Sequence, residues 1–283
     1  LESMIPIDPY VEPYNWGGSD GFSTSYVRFN KEQKALYDPV IDSINVWFKD
    51  NWSSLSMQEK MEWKYQRYMQ DYLGTISSVD DNLGRILDYL EKSGLDKNTI
   101  VVYTSDQGFF LGEHGWFDKR FIYDESFKTP LLVKWPEKIV PGIRISKMVQ
   151  NLDFAQTFLD AANINQPADM QGKSLMPLLL GQGKNWNREA VYYHYYEYPS
   201  VHMVKRHYGI VTEDYKLAHF YYDIDEWELY DRLADPMEMK NVYHDSSYNE
   251  IVKKLKTQLG ELREMYKDSR ELDLYYINKN LNN

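Results

Sequence analysis

The sequence predicts an α/β fold that is followed by a small antiparallel sheet with a helix packed on it. One observation is the order of helix, strand, loop and strand between residues 57 and 134, where a long helical pattern precedes two short runs of β-formers. This order favours a layered fold around a largely buried sheet. The other is a change after residue 185, where short aromatic and β-branched runs begin. We therefore predict an α/β region over residues 1–185 and a small α+β subdomain over residues 186–283.

The start of the chain lacks a regular pattern. Residues 1–30 carry three prolines and several glycines, which predicts irregular, extended structure. Such a long opening without secondary structure is unusual for a complete domain. The first residues, Leu1 to Met4, do not resemble a natural start, and no signal peptide is visible. We expect the chain to begin inside a longer protein whose N-terminal half lies upstream.

Helices and strands of the α/β region follow in order. Residues 31–50 can form a short helix, and Met57–Lys92 forms a clearer one because its apolar residues recur at spacings of three and four. Gly94 follows that helix, as a terminating glycine does. A buried strand over Thr99–Tyr103 and a second strand over Pro130–Lys134 come next. A short helix over Leu152–Ala162 is also predicted.

The subdomain is predicted from four short β-forming runs and one amphipathic helix. The runs are Ala190–Tyr196, Tyr208–Thr212, Lys216–Tyr222 and Glu228–Tyr230. They indicate a small antiparallel sheet. The helix covers Tyr248–Tyr266 and places Ile251, Leu255, Leu259, Leu262 and Tyr266 on one face. We expect that face to pack on the sheet.

Composition excludes several classes of function. The 283 residues carry a formal net charge of −11 without a basic block, so a nucleic-acid partner is not expected. There is no cysteine, which excludes disulfides, thiolate metal sites and a cysteine nucleophile within the chain. No apolar run approaches the ~20 residues of a membrane span, so no membrane partner is expected. The aromatic content of 16% suits sugar ligands and ordinary cores equally well.

The loop after the first strand is the main candidate for a site. Asp106 and Gln107 follow the strand directly, and ligands of open α/β sheets bind beyond the carboxyl ends of the strands. Carboxylate and amide oxygens suit a hard cation such as Ca²⁺, although such an ion takes six or more oxygens. Gly108 would let the backbone turn so that both side chains point inward. The alternative is a strand-end turn in which Asp106 caps local N–H groups.

Further along the same loop, Lys119 and His114 are candidates for anion binding. A lysine beside aromatic residues and Arg120 could neutralise an oxyanion, and a histidine could add a hydrogen bond. The alternative is an ordinary exposed loop. The long connection between the two strands favours function, because long connections in compact domains usually carry it.

An ordered set of motifs carries a resemblance to a known family. The motifs are Thr104–Gly108, Leu111–Trp116 with Lys119, Tyr123–Ser126, Thr129–Val133, Asn151–Ala155 with Gly172–Leu175, and Trp227–Asp231 with Asp235–Pro236. Together they resemble the C-terminal part of a formylglycine-dependent sulfatase, from about Met57 onward. Two runs, at 63–68 and 112–120, are most similar to the N-acetylglucosamine-6-sulfatase branch, which acts on glycosaminoglycans. The resemblance implies the back half of an alkaline-phosphatase-like mixed sheet flanked by helices.

The resemblance also implies roles for single residues. Asp106 and Gln107 match the second pair of Ca²⁺ ligands, and Lys119 matches the lysine that contacts the sulfate. Asp118 and Arg120 flank Lys119 and are expected to reach sugar hydroxyls. His114 is expected near the pocket.

The departures from the family are informative. The Cys/Ser-x-Pro-x-Arg motif, whose Cys or Ser becomes formylglycine, is absent, and so are the two early aspartates of the metal site. Asp80 and Asp81 do not replace them, because neighbours in a helix diverge by about 100°. The chain is therefore expected to supply part of the metal shell and the sulfate contact, without the nucleophile.

A second candidate surface lies in the subdomain. Tyr192, His194 and Tyr196 would share one face of a strand and could stack a sugar ring, while Lys205, Arg206 or His207 could bind acidic or sulfated groups. The alternative is that the tyrosines form the interface between the small sheet and the α/β region. His207 is retained as a candidate substrate contact.

Three functions stay open at this point. The first is sulfate-ester hydrolysis on a sulfated sugar by the intact protein, with this chain inactive alone. The second is a phosphatase or phosphodiesterase of the same superfamily, and the third is a non-catalytic carbohydrate-binding fragment. The resemblance implies a periplasmic or secreted protein if bacterial, and a lysosomal one if eukaryotic.

Overall fold

The fold is described from a computed structural model, which describes residues 28–200 and 202–281. The chain divides into two compact units. The first unit comprises Leu1–Asp88 and Leu111–Phe117, and the second comprises Tyr89–Phe110 and Asp118–Asn283. Most of the predicted irregular opening lies outside the described residues. The predicted domain boundary at residue 185 stays a prediction.

Two helices dominate the first unit. Helix α1 spans Lys31–Asn51 and helix α2 spans Met57–Lys92, joined by a 3₁₀ turn. Asn30 caps α1 through a capping box with Gln33, in which each side chain accepts from the other's backbone N–H. Trp47 and Trp63 stack with their ring centroids 5.4 Å apart, which fixes the two helices against each other. Both predicted helices are confirmed.

Helix α2 ends as predicted but buries nothing. Gly94 follows its end with φ of 71°, in the left-handed region that glycine favours. No residue of α2 is buried within the described part of the chain. Several of its apolar residues, among them Leu73, Ile76 and Ile86, are exposed. An amphipathic helix with an uncovered apolar stripe has a face that is built to pack.

The strands of the α/β region form an antiparallel pair. Strand β1 spans Val101–Thr104 and, after the short strands β2 (Phe110–Leu111) and β3 (Phe117–Asp118), strand β4 spans Leu131–Lys134. In the register of β1 and β4, Val102 lies opposite Val133. All four residues of β1 are only half-buried. The expectation of a buried strand is wrong for this chain, because β1 has one strand neighbour among the described residues.

Short helices lie before and after strand β4, and Asp153 anchors the start of one of them. They are α3 (Asp124–Phe127), α4 (Asp153–Ala161) and α5 (Met176–Leu179). Asp153 is fully buried, and its carboxylate accepts hydrogen bonds from the Arg188 guanidinium and from the backbone N–H of Lys173 at 2.8 Å. A Cβ on Gly172 would lie 1.9 Å from the Leu152 carbonyl oxygen. The Gly172–Leu175 motif is thereby pinned to the start of α4.

The subdomain is a four-stranded antiparallel sheet with two helices. Its strands are β5 (Ala190–Tyr195), β6 (His207–Thr212), β7 (Tyr215–Phe220) and β8 (Glu226–Asp231), paired in that order. Helix α6 spans Asn249–Met265, and helix α7, which the sequence analysis did not predict, spans Arg270–Leu281. The predicted sheet and the predicted helix are confirmed.

The two faces of this sheet pack on different partners. On one face, which we call the loop-side face, Val211, Ala218 and Phe220 pack with Phe110 and Phe121. On the other, the helix-side face, Ile210, Leu217 and Leu229 pack with Leu255 and Leu259 of α6. Alternation along the strands produces this division, since successive side chains point to opposite faces.

Candidate functional site

The two predicted metal ligands lie just beyond β1, in the second unit. Asp106 is exposed and Gln107 is half-buried. The Ser105 hydroxyl donates to the Gln107 carbonyl oxygen at 2.7 Å, which holds the turn. Within the described part of the chain, no Lys, Arg or His forms an ion pair with Asp106. An unpaired carboxylate beside a side-chain amide fits a hard cation, but two oxygens fall short of the six or more that Ca²⁺ takes.

Gly108 is needed for a different reason than the one expected. Its φ is not among the positive values in the described chain, so it does not supply a left-handed turn. A Cβ at Gly108 would lie 2.1 Å from the carbonyl oxygen of Glu125. The Gly108 N–H also donates to the Ser126 carbonyl oxygen at 2.8 Å. The glycine therefore lets the turn that holds Asp106 and Gln107 pack directly on helix α3.

The backbone on both sides of Lys119 has an unusual conformation. Asp118 has φ of 82° and Arg120 has φ of 91°. Positive φ costs a residue with a side chain of order 1–3 kcal/mol and is retained where the surroundings enforce it, often at functional sites. Lys119 itself is half-buried and forms no ion pair in residues 28–200 and 202–281. A constrained lysine without a carboxylate partner is suited to binding an anion.

The side chains of Asp118 and Arg120 meet, and a third residue joins them. The Arg120 guanidinium forms an ion pair with the Asp118 carboxylate. His202 lies against both: its Nε2 is 2.7 Å from Arg120 Nη2, and its Nδ1 is 3.4 Å from Asp118 Oδ2. This cluster presents carboxylate, guanidinium and imidazole groups side by side. His202 was not among the predicted site residues.

The position of Arg120 is set by its backbone. Its N–H donates to the Ser126 hydroxyl at 2.8 Å, and its carbonyl oxygen accepts from the hydroxyl of Tyr193 on β5. Phe127 packs edge-on against Tyr193 with ring centroids 5.2 Å apart. The candidate site segment is therefore held between α3 and the small sheet. Tyr193 therefore lies at the interface between the small sheet and the α/β region, which was one of the two interpretations of the tyrosines.

A buried charge network fixes α3 to the sheet. The Asp124 carboxylate accepts from Lys216 Nζ at 2.8 Å and from Arg232 Nη2 at 2.7 Å, and Lys216 also pairs with Glu238. Lys216 and Glu238 are almost fully buried. Burial alone would raise the pKa of Asp124, but Lys216 and Arg232 outweigh it and lower that pKa. The network keeps Asp124 ionised and anchors the end of the site loop.

His114 belongs to the first unit. It occupies a 3₁₀ turn over Glu113–Gly115 with φ of 54° and ψ of 12°. The Glu113 carboxylate accepts from the backbone N–H of Leu111 at 2.6 Å, which closes this turn. The role of His114 near a pocket stays a prediction.

His207 is buried rather than exposed. None of its surface is accessible, and its ring stacks on Phe220 with centroids 4.7 Å apart. Its Nδ1 lies 2.8 Å from the Lys205 carbonyl oxygen. Arg206 is buried as well, paired with Asp223 at 2.8 Å. A fully enclosed His207 offers no atom to a surface ligand, so its burial lends no support to the predicted substrate contact.

One group of His and carboxylate side chains in the described residues could hold a metal: His194, Asp268 and Asp273, with ligand atoms within 4.8 Å of one another. His194 Nδ1 lies 2.7 Å from Asp268 Oδ2, and Arg263 Nη2 donates to Asp273 Oδ2 at 2.8 Å. Tyr192 and Tyr196 also donate to Asp268. Arg263 already supplies a positive charge to both carboxylates, so the group forms an ion-paired network. The His194 side chain is buried in this network, while Tyr192 and Tyr196 are half-buried, so the predicted sugar-stacking face is only partly accessible.

Comparison with known proteins identifies the family. Residues 17–164 match the family model described as sulfatase, and residues 112–265 match the model described as the C-terminal part of N-sulphoglucosamine sulphohydrolase. A protein of Bacteroides thetaiotaomicron described as N-acetylglucosamine-6-O-sulfatase is 56% identical over 212 residues, which cover 74% of this chain and 38% of that relative. The chain thus spans about two fifths of this relative's length.

Solved structures agree with the sequence matches. The structure described as BT4656 in complex with its substrate D-glucosamine-2-N,6-O-disulfate matches with a TM-score of 0.84 and 48% identity, covering 89% of this chain and 51% of that one. A phosphonate monoester hydrolase of Agrobacterium radiobacter matches with a TM-score of 0.62 and 26% identity, covering 71% and 43%. The expected α/β fold and the expected resemblance are confirmed.

The helices of the described residues do not include one that could span a membrane. In residues 28–200 and 202–281, every helix is too short or too polar to cross a membrane.

The family assignment rests on three kinds of match. They are the two family models, the relative that is 56% identical and the solved structure with a TM-score of 0.84. The chain therefore belongs to the sulfatase family.

Proposed function

We propose that the complete protein carrying this chain hydrolyses sulfate esters of sugars, with a 6-sulfated N-acetylglucosamine as the preferred kind of substrate. The observation that carries the proposal is the unpaired Lys119 between two residues of positive φ. The 56% identity to a protein described as N-acetylglucosamine-6-O-sulfatase supports the choice of sugar. The site residues supply substrate and metal contacts, and the formylglycine nucleophile would come from outside these residues.

Lys119 would hold the sulfate group. An ammonium without a competing carboxylate can place its full charge against a sulfate oxygen, where negative charge grows as the ester bond breaks. The neighbouring cluster of Asp118, Arg120 and His202 would hold the sugar. A carboxylate accepts hydrogen bonds from sugar hydroxyls and a guanidinium donates hydrogen bonds to them. The pair can therefore bind two adjacent hydroxyl groups of a sugar.

Asp106 and Gln107 would provide part of a Ca²⁺ site. Their oxygens are of the kind that Ca²⁺ prefers, and the remaining ligands would come from other residues of the complete protein. Ca²⁺ supplies charge stabilisation of the sulfate oxygens when it is bound. The test is calorimetric Ca²⁺ binding to the complete protein and to its Asp106→Asn variant. We expect Asp106→Asn to weaken binding, and equal affinity would contradict the assignment.

The substrate class is tested by comparing three esters of one sugar. N-acetylglucosamine 6-sulfate, the 6-phosphate and a 6-phosphonate ester would be offered to the complete protein, and release of sulfate, phosphate or phosphonate measured. We expect the sulfate ester to give the highest kcat/KM. Preference for either phosphorus ester would overturn the proposal.

Hydrolysis of phosphorus esters is the second candidate function. The match to a phosphonate monoester hydrolase, at a TM-score of 0.62, is the observation that favours it. The lower identity of 26%, against 56% to the protein described as a sulfatase, makes it the weaker candidate. Location in the periplasm, outside the cell or in a lysosome also stays a prediction.

A further inference from the structure

A cleft of about 600 Å³ opens on the helix-side face of the small sheet. Six residues used below line it, all from the second unit: Tyr208, Tyr221, Tyr222, Arg263, Arg270 and Asp273. Tyr208 lies on β6, and Tyr221 and Tyr222 follow the end of β7. Arg263 lies on α6, and Arg270 and Asp273 lie on α7. We call this the helix-side cleft.

The helix-side cleft lies on the opposite face of the sheet from the Lys119 segment. Tyr208 and His219 are cross-strand partners in the register of β6 and β7, and both line the cleft. Their neighbours Val211, Ala218 and Phe220 point to the loop-side face. Because successive strand residues point to opposite faces, a ligand in this cleft would not touch the candidate catalytic residues.

Asp273 holds Arg263 in place at the wall of the cleft. Only 6% of the residue is exposed. Its Oδ2 accepts from Arg263 Nη2 at 2.8 Å, while its buried Oδ1 lies 3.8 Å from His194 Nε2. Because Oδ1 is enclosed, Asp273 offers no acceptor to a ligand and acts by fixing the guanidinium of Arg263.

The two arginines of the cleft differ in whether they are already paired with a carboxylate. Arg263 is fixed, because it pairs with Asp273 and its guanidinium carbon lies 3.9 Å from the ring centroid of Tyr208. Arg270 is exposed and forms no ion pair with any described residue. It is the first residue of α7, at the edge of the cleft. A free guanidinium binds carboxylate and sulfate groups through two parallel hydrogen bonds.

Tyr222 completes the cleft with an aromatic surface. The residue is 59% exposed and has φ of 67°. An exposed tyrosine offers a flat apolar face and a polar tip, which suits the C–H face and the hydroxyls of a sugar ring. Concave shape, aromatic walls and a few placed polar groups are the usual features of a small-ligand site.

We propose that the helix-side cleft binds an anionic saccharide. Arg270 pairs with a carboxylate or sulfate of the sugar, and Tyr222 packs on the ring. This site holds carbohydrate and takes no part in ester hydrolysis. It goes beyond the proposed function, because a polymeric sugar could be held here whether or not the other site cleaves it.

The test uses the complete protein with Lys119→Ala, which weakens the candidate catalytic site, and a heparin-derived tetrasaccharide as probe. Binding is measured by isothermal titration calorimetry at fixed salt concentration. We expect one binding event to remain. Adding Arg270→Ala should weaken it by about 10-fold or more, as expected for loss of a charged hydrogen bond.

Arg144→Ala is the matched control, because Arg144 is also exposed and unpaired among the described residues of the second unit. It should change affinity by less than about twofold. Equal affinity with and without Arg270→Ala, or an equal loss with Arg144→Ala, would overturn the proposal. Arg270→Ala alone should leave hydrolysis of N-acetylglucosamine 6-sulfate unchanged, so failure of the cleft and failure of the proposed function are distinguished.

Discussion

Gly108 shows how one residue without a side chain positions the candidate metal ligands. Its backbone touches helix α3, and an added Cβ would lie 2.1 Å from the Glu125 carbonyl oxygen and 2.8 Å from that of Lys128. The sequence indicated a glycine-dependent turn, but the reason for it is a contact with residues that come 17 and 20 positions later. Such contacts depend on the tertiary fold and leave no local pattern.

We expect Gly108→Ala to lower the free energy of unfolding by roughly 2–4 kcal/mol, because backbone atoms cannot move away as a flexible side chain could. Gly260→Ala is the matched control: it lies in α6 with nothing within 4 Å of the added Cβ, and it should stabilise by about 0.5–1 kcal/mol. Urea unfolding of both variants checks this. A Gly108→Ala variant as stable as the parent would contradict the close approach.

Residue-scale prediction of the site was partial. Asp106, Gln107 and Lys119 were found because they follow a strand in an ordered motif, although their roles as ligands remain predictions. His202 could not be found in that way, since it contacts Arg120 across 82 positions of sequence. A single histidine in a loop carries no spacing signal that points to its partner.

We expect His202→Ala to raise KM for the sulfated sugar by about 10-fold with a smaller change in kcat, because it removes the group that lies 2.7 Å from Arg120 and helps to orient it. His202→Gln, which retains a hydrogen-bonding group, should recover part of the loss. Steady-state kinetics on the complete protein measure both. Unchanged KM in His202→Ala, together with a raised KM in Arg120→Ala, would show that His202 does not position the arginine.

Helices and strands whose apolar residues recur at a regular spacing were predicted well, and the others were not. Helix α2 and the four strands of the small sheet follow from residue spacing alone. Helix α7 was missed because its twelve residues are mixed in polarity and show no clear apolar face. Its buried Ile277 and Asp273 depend on packing and on ion pairing with Arg263, which tertiary structure provides.

At the scale of the small sheet, His207 makes stability depend on pH. Burial lowers the pKa of His207 from 6.5 to about 4, and its contact with the Lys205 carbonyl oxygen opposes this only in part. Between pH 6.5 and a pH of about 4, His207 takes up a proton in the unfolded chain but not in the folded chain. The free energy of unfolding should therefore fall as the pH falls, by roughly 3 kcal/mol for the full shift.

His207→Phe tests this dependence, because phenylalanine retains an aromatic ring for Phe220 and cannot titrate. We expect urea unfolding at pH 7 and at pH 5 to differ less in the variant than in the parent protein. Burial also lowers the pKa of His194, so some dependence of the same sign should remain. An identical slope in the two proteins would show that His207 is not the group responsible.

At the scale of the whole molecule, the chain exposes apolar surfaces that are expected of one part of a larger domain. It spans 38% of the length of a relative that is 56% identical. The uncovered apolar stripe of α2 and the half-buried strands β1 and β4 are elements that a larger sheet would enclose. A sulfatase motif with a Cys or Ser nucleophile is absent from the sequence.

We therefore expect the 283-residue chain alone to release no sulfate from N-acetylglucosamine 6-sulfate. The reason is chemical: Lys119, Asp106 and Gln107 are proposed to bind and orient an ester, but the sequence lacks the motif whose Cys or Ser would supply the group that attacks sulfur. Sulfate release would be followed with the isolated chain and with the complete protein at equal concentration. Turnover by the isolated chain above the uncatalysed rate would overturn this expectation.

The central claim is that Lys119 binds the sulfate group in the complete protein. Replacing it with alanine should lower kcat/KM for N-acetylglucosamine 6-sulfate by roughly 100-fold or more, because a charge contact to the reacting group is lost. Lys128→Ala is the control, an exposed lysine of the same connection that forms no ion pair among the described residues, and it should retain activity. If Lys119→Ala hydrolysed the sulfate ester as well as Lys128→Ala does, the assignment of Lys119 to the sulfate group would be contradicted.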